Sequence, residues 1–422
     1  MYVSRTSIIR VIVTLRTDRF GWAFMVVLGS CWLLVACVGS TNVLPAEPTG
    51  VGHSPSQQAT SEAPTGNSGA RWPSYGRDVI EVEETSVEWT SRLVSGISQY
   101  EANVFGEMEF AVWDIDDPRT VQIHSVQNGS SVDPDWTYTV TSEDRYVALI
   151  AFVGTNTAYL AEAPPVELIE LEGPGSRLVH VDLATRDVHE VSPPDGTLWS
   201  PWGAFIEAGP TGVYAVARSA GIGDCVVRID GVDTEILTCF EGQQVSFSTI
   251  SGDGLSVLTF PWGDNMSGCR QRWQISADDG KSTSIGPDGA CNRFDGVMLD
   301  GWNIWSEIDP EEPAQFYQAG MLADGPDGQQ ISFGLMRTGS MTVCGSYVFW
   351  QTQVPTAGWS AYETLRWRPG MDHVESLRED TTPDVYSGPP RCVSGGTVNI
   401  TEVSSLAEPP TEEFLTLPAN AP

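Results

Sequence analysis

The chain has 422 residues, with 22 Lys and Arg against 55 Asp and Glu, and a formal net charge of −33. This balance excludes nucleic-acid binding and charge-driven docking on anionic lipid, since both need clustered Lys and Arg. Cationic partners, metal ions or plain solubility remain as meanings of the acidity.

In chain order, Arg5, Arg10, Arg16 and Arg19 precede an apolar run over 20–36. A basic segment, an apolar run and a small residue at a cut site form an export signal. The run ends in Leu33-Leu34-Val35-Ala36-Cys37, which resembles a bacterial lipobox, with cleavage after Ala36 and lipid on Cys37. The competing reading is an uncleaved anchor helix over 20–39, just long enough to span a bilayer. Either way the arginines stay inside, so the rest of the chain is expected outside the cytoplasm, held at the cell membrane. Removing 1–36 takes away four arginines and one aspartate. The remainder, with 18 basic and 54 acidic residues, carries −36.

Residues 38–71 are rich in Ser, Thr, Pro, Gly and Ala and lack an apolar period. Such a stretch cannot bury enough surface to fold, so 37–75 is expected to be a lipidated flexible tether. Thirty-four flexible residues reach roughly 30–35 Å in root-mean-square terms.

From 76 to 422 one unit recurs: a short strand, a turn rich in Gly, Asp or Ser, and a second apolar strand. It reads at 102–113, 137–152, 204–218, 246–260, 296–307, 341–351 and 391–402. A second hairpin follows most of these, at 177–191, 225–239, 270–286 and 363–378. Alternation broken by Gly-containing turns is the hairpin signal. Four strands in about 45 residues is the period of a β-propeller blade. Each unit exposes apolar faces that only its neighbours can cover. The fold expected is therefore all-β, a propeller of seven four-stranded blades, with six or eight as alternatives and a β-sandwich pair or large barrel as the competing fold. The seventh unit adds a third strand at 412–418, and 79–84 (VIEVEE) is the expected fourth, closing the ring.

Ser251-Gly252-Asp253-Gly254-Leu255-Ser256-Val257 resembles the Ser-Pro-Asp-Gly turn and strand of TolB-like propeller repeats, and Ser142-Glu143-Asp144-Arg145-Tyr146-Val147-Ala148 is similar. Val179-His180-Val181-Asp182-Leu183-Ala184-Thr185 resembles the outer hairpin of the same repeats. Gly252 and Glu143 stand where that family has proline. The resemblance covers two or three units well. It implies a propeller with an export-compartment binding role and carries no shared catalytic set.

Eight cysteines are present. Cys31 lies in the signal and Cys37 is the lipid acceptor, which leaves six. An even number in an exported chain favours disulfides over thiols, and no CxxC spacing suggests zinc. Cys225 and Cys239 bracket one outer hairpin and Cys269 and Cys291 the next, while Cys344 and Cys392 end the first strands of neighbouring units. The expected pairs are 225–239, 269–291 and 344–392.

Loops between second and third strands, together with those joining successive units, should gather on one propeller face. There they could present Trp199, Trp202, Trp262 and Trp359 beside Asp264, Asn265, Glu307 and Asp309. Aromatics beside carboxylates suit a sugar or a cationic peptide; the competing reading packs the tryptophans between blades. No GxSxG, HExxH or phosphate loop occurs. His180 and His189 can meet across one hairpin, yet two histidines are half a zinc site. No catalytic residue, metal or cofactor is therefore assigned. The expected role is a monomeric binding or scaffold module of the cell envelope, with a protein or glycan partner. A secreted glycosidase or lyase is the first alternative. The second is an interaction protein that docks a membrane partner through 153–176.

Overall fold

The computed structural model describes residues 77–420, except 96–99, 106–108, 115–116, 126–135, 155, 166–174, 202–205, 210, 252–253, 263–268, 288–290, 309–317, 355–360, 380–384, 394–395 and 405–410. These fall in the second of two compact units, Arg71–Pro422. The signal, Cys37 and the whole of the tether lie outside the described residues.

Every described element is a β-strand, and the strands form seven sheets in chain order, the architecture of a β-propeller. In each sheet the chain passes back and forth from an inner strand outward. In the fourth sheet, for example, Gln243–Ser251, Gly254–Pro261, Gln271–Ser276 and Ser282–Ile285 pair in that order. Six of the seven inner hairpins lie where the sequence pattern puts them. Their turns carry the expected chemistry: Asp300 and Gly301 have φ of 49° and 78°, the left-handed pair that a two-residue hairpin turn requires.

The hairpin expected at 137–152 is corrected. Trp136–Thr139 is the outer strand of the first sheet, and Tyr146–Val153 pairs instead with Thr157–Ala163 as the inner hairpin of the second. Two turn-rich stretches, 140–145 and 154–156, flank one apolar strand, and alternation cannot say which of them stays within a sheet. Thr157–Ala163 thus occupies part of the supposed insertion at 153–176, and its apolar stretch at 166–171 lies outside the described residues.

Strand alternation lets each sheet feed two joints. In Thr157–Ala163, Ala158 and Leu160 face the first sheet while Tyr159 and Ala161 face the third. Six such cores link the seven sheets in succession. The largest lies between the fifth and sixth, where Trp302, Phe333, Trp350 and Trp367 meet edge to face, with ring centroids 5.1–5.6 Å apart. The expected closure of a seven-bladed ring finds no support: no core joining the last sheet to the first is found among the described residues.

The joint between the fourth and fifth sheets is different in kind. Its own apolar core is small, formed by Ile285, Trp305 and Leu322, with Leu258 joining the larger core of the fifth and sixth sheets, and buried arginines add hydrogen bonds across it. Arg272 of the fourth sheet donates to Ser256 Oγ (2.8 Å), Thr249 Oγ1 (3.3 Å) and the Phe294 carbonyl (3.3 Å) of the fifth sheet. Arg293 of the fifth sheet reaches back to Ser284 Oγ and the Ile285 carbonyl. The approach is close enough to demand glycine at 296, where a Cβ would stand 2.9 Å from Ile285 and 3.0 Å from Arg272.

The segment before the first sheet forms an outer strap. Strand β1 (Asp78–Val79) adds a parallel fifth strand to the fifth sheet, and β2 (Glu81–Glu84) does the same on the sixth. Strand β3 (Thr90–Ser95) runs antiparallel to Thr411–Pro418 as the outer strand of the seventh. The expectation that 79–84 would fill that last place is therefore corrected. The reason is reach, since only 96–99 separate β3 from the first sheet. Between strands, Ile80 packs on the core of the fifth and sixth sheets, and Val87 and Trp89 on that of the sixth and seventh. Arg77 fixes the start of the strap by donating to Ala323 O and Asp324.

All three expected disulfides are present. Cys225–Cys239 and Cys269–Cys291 close loops within or beside a hairpin, and Cys344–Cys392 links the sixth sheet to the seventh. Loop-closure entropy gives each roughly 3–4 kcal/mol, with the longest loop at the upper end.

Asp295 yields a pH test of the polar joint. Wholly buried, it accepts from Ser306 Oγ and the Gly339 N–H, and burial pushes its pKa up to about 6. A raised carboxylate binds its proton more tightly when folded. Its stabilisation is therefore complete below pH ~4 and lost as pH rises through about 6. Urea unfolding from pH 4 to 7 should show wild type losing up to roughly 3 kcal/mol relative to Asp295→Asn; parallel pH profiles would contradict this placement.

Candidate functional site

The second strands of successive sheets run in one sense, so Ser219, Pro261, Glu307 and Gln353 end on one face. Of the expected rim, Trp202, Asp264, Asn265, Asp309 and Trp359 lie outside the described residues. Trp199 is 2% exposed, donates Nε1–H to the Val191 carbonyl (2.8 Å) and packs between the second and third sheets. It is a packing residue and does not present its ring. Glu307 is half-buried and accepts the Trp305 indole N–H at 2.9 Å. Trp262, also half-buried, leads to the most organised part of the face.

At the end of the third sheet, Leu198, Arg218 and Asp224 form one cross-strand row. Arg218 Nε lies 3.4 Å from Asp224 Oδ1, and the other carboxylate oxygen accepts the Val245 N–H of the fourth sheet at 3.1 Å. Asp224 has no exposed surface, and burial raises its pKa. The Trp262 ring covers the Arg218 guanidinium at 4.4 Å and fixes itself by donating Nε1–H to the Gln243 carbonyl at 2.6 Å. A chain of backbone bonds binds the loops above: Ile222 N–H to Ser219 O, Gly242 N–H to Ile222 O, and Trp262 N–H to Gly242 O. Gly223 turns this corner with a φ of 147°, and a Cβ there would lie 2.1 Å from the Phe240 carbonyl. Directly below, Cys225 and Cys239 oppose each other in register.

This rigid base carries an apolar top. Leu198 is 56% exposed and Ile222 48% exposed, and the half-buried Trp262 is linked to the first through Arg218, the register partner of Leu198, and to the second through Gly242. Exposed Asp195 and Glu241 lie three residues before Leu198 and one before Gly242. Single exposed aliphatics are ordinary; two of them near a half-buried Trp make this the candidate interaction surface.

Other buried carboxylates toward this face are engaged. Glu162 accepts from Tyr138 and Arg177, and the burial that accompanies this pair raises the Tyr138 pKa. Glu402 takes a two-point contact from Arg378 at 2.6 and 2.8 Å. Glycoside hydrolysis needs two carboxyl groups facing one substrate across a gap. Glu162, Asp224, Asp295 and Glu402 are each committed to holding strands together.

The two other features legible in the sequence lie elsewhere. His180 and His189 are directly opposed, with ring centroids 6.3 Å apart and Tyr159 beside them at 5.1 Å. No group of three His, Cys, Asp or Glu able to hold a metal ion is found among the described residues. An open cleft of about 440 Å³ is lined by Thr211, Ser276, Asp278, Asp279 and Lys281. Its turn uses its own polar groups, with Ser276 Oγ accepting from the Asp278 and Asp279 N–H and Asp279 from the Lys281 N–H.

No protein-family model matches the chain, and no curated protein matches it. Among solved structures it is similar to the β-propeller domain of the Trilobed protease from Pyrococcus furiosus. That match has 10% identity and a TM-score of 0.41, and covers 66% of this chain and 84% of that one. It is also similar to an oligogalacturonate lyase in complex with manganese (11% identity, 62% and 86% covered, TM-score 0.35). A third is dihydro-heme d1 dehydrogenase NirN (11% identity, 74% and 63% covered, TM-score 0.40). Likeness at this level concerns the fold alone.

The Arg218–Asp224 pair makes a measurable prediction. Arg218→Met should cost roughly 3 kcal/mol in urea unfolding by leaving a buried carboxylate uncompensated. Arg218→Met/Asp224→Asn should recover most of that loss, since asparagine still accepts from Val245 without a charge. A double variant as unstable as the single would deny the pair its assigned role.

Proposed function

We propose that this protein is a lipid-anchored binding module of the cell envelope, its propeller held outside the membrane by Cys37 and the tether of 37–75. The address rests on the basic segment, apolar run and Leu33–Cys37 motif of the sequence. The binding role rests chiefly on one observation: the mouth between the third and fourth sheets exposes Leu198 and Ile222 beside the half-buried Trp262, over a buried ion pair. Chemistry on a sugar would want free, convergent carboxylates there. Adhesion wants a fixed apolar surface, and this is one. A TolB-like role as a scaffold for envelope partners suits the same surface and remains part of the proposal.

Two measurements on intact cells test it. Cys37→Ala should abolish lipid labelling and leave an unprocessed or released protein; unchanged labelling refutes the anchor. Chemical cross-linking of the anchored wild type should capture a second envelope component. Recovery of monomer alone, together with glycan turnover by the purified protein, overturns the binding reading.

A further inference from the structure

Resting on that binding reading, we infer that the mouth between the third and fourth sheets docks a cationic polypeptide segment that inserts aliphatic side chains between Leu198, Ile222 and Trp262.

Three observations fix the partner's chemistry. First, the surface offers carbon and little else. Leu198 and Ile222 are aliphatic, Trp262 has one ring face on Arg218 and its N–H on Gln243, and Arg218 and Asp224 are buried and paired. A sugar needs an open aromatic face ringed by free donors and acceptors; this Trp has one face on Arg218 and its donor spent on Gln243. Aliphatic side chains of a peptide meet the exposed carbon without asking for hydrogen bonds.

Second, the charge around the patch is of one sign. Asp195 and Glu241 are exposed beside it, and the chain from Cys37 onward carries −36. A partner with Lys or Arg flanking its apolar residues is steered in and held at the rim, whereas an acidic one is repelled.

Third, the receptor is preorganised. The backbone chain through Ser219, Ile222, Gly242 and Trp262 and the disulfide just below hold the loops in place. Docking therefore orders only the partner, which keeps the entropic cost low.

The test uses detergent-solubilised full-length protein and three labelled twelve-residue peptides: alternating Leu and Lys, alternating Ser and Lys, and alternating Leu and Glu. Fluorescence anisotropy should show binding of the Leu/Lys peptide at least tenfold tighter than of either control. Leu198→Asp and Ile222→Asp should each weaken it at least tenfold, Leu198→Ser less so, and Glu241→Lys several-fold, all with unchanged circular dichroism. Val188→Asp and Val232→Asp, at exposed aliphatic sites elsewhere, should leave binding as in wild type. Equal binding of the Ser/Lys peptide, equal loss in Val188→Asp, or no binding overturns the inference. Cross-linking that captures a partner on other loops would sink this docking site while sparing the binding role; capture of nothing would sink both.

Discussion

Each sheet of this protein has two faces to hide, and nothing but the neighbouring sheets can hide them. A single four-stranded sheet of such composition would leave rows of Val, Leu, Ile and Trp in water, at a cost of about 1.5–3 kcal/mol for each large side chain. Among the described residues, stacking removes that cost at six joints in succession. Stability is thus a property of the stack, and each joint depends on the order of both sheets that meet there. The arginine joint between the fourth and fifth sheets shows a second way of meeting the same constraint. Arg272 and Arg293 replace apolar volume with hydrogen bonds to carbonyls and hydroxyls, bonds that offset the cost of burying a charged group.

The strap answers what happens at the end of the stack. The chain lays two short strands on the edges of the fifth and sixth sheets before supplying, with β3, the outer strand of the seventh, where it pairs with Thr411–Pro418. With Cys344–Cys392 bridging the sixth and seventh sheets, the late sheets are tied both at their outer edge and through a covalent link. If the tether carries load from a membrane anchor, that load enters at Arg77, on the strap and far in sequence from the Leu198–Trp262 surface.

Much of this was legible in the sequence, because hairpins announce themselves locally. Alternating apolar residues and Asp-Gly or Gly-containing turns located six inner hairpins, and the symmetry of Cys225 and Cys239 about one turn located a disulfide. What escaped was non-local. The strand 146–153 has turn chemistry on both sides, and only pairing energy decides which partner it keeps. The segment 79–84 alternates Val and Glu as a strand should, but its partners lie some 250 and 290 residues away. At the site, the position of Trp262 just past the end of a second strand was legible from the loop signal. Its partners Arg218 and Asp224 were not, because an Arg in one apolar strand and an Asp in the next look like separate interruptions until register sets them opposite. Leu198 and Ile222 gave no signal, since an exposed aliphatic residue reads as core.

Function then follows from what the scaffold leaves over. Among the described residues, buried carboxylates on the face pair within and between strands, and the exposed groups at the mouth are aliphatic carbon and acid. The whole account depends on β3 being an integral strand of the last sheet, which makes the chain one collective stack. Native-state hydrogen exchange read by mass spectrometry tests this directly. Residues 90–95 should exchange as slowly as 411–418, through global unfolding alone, while 78–84 exchange faster through local opening. Exchange of 90–95 at the fast rate of 78–84 would contradict the account.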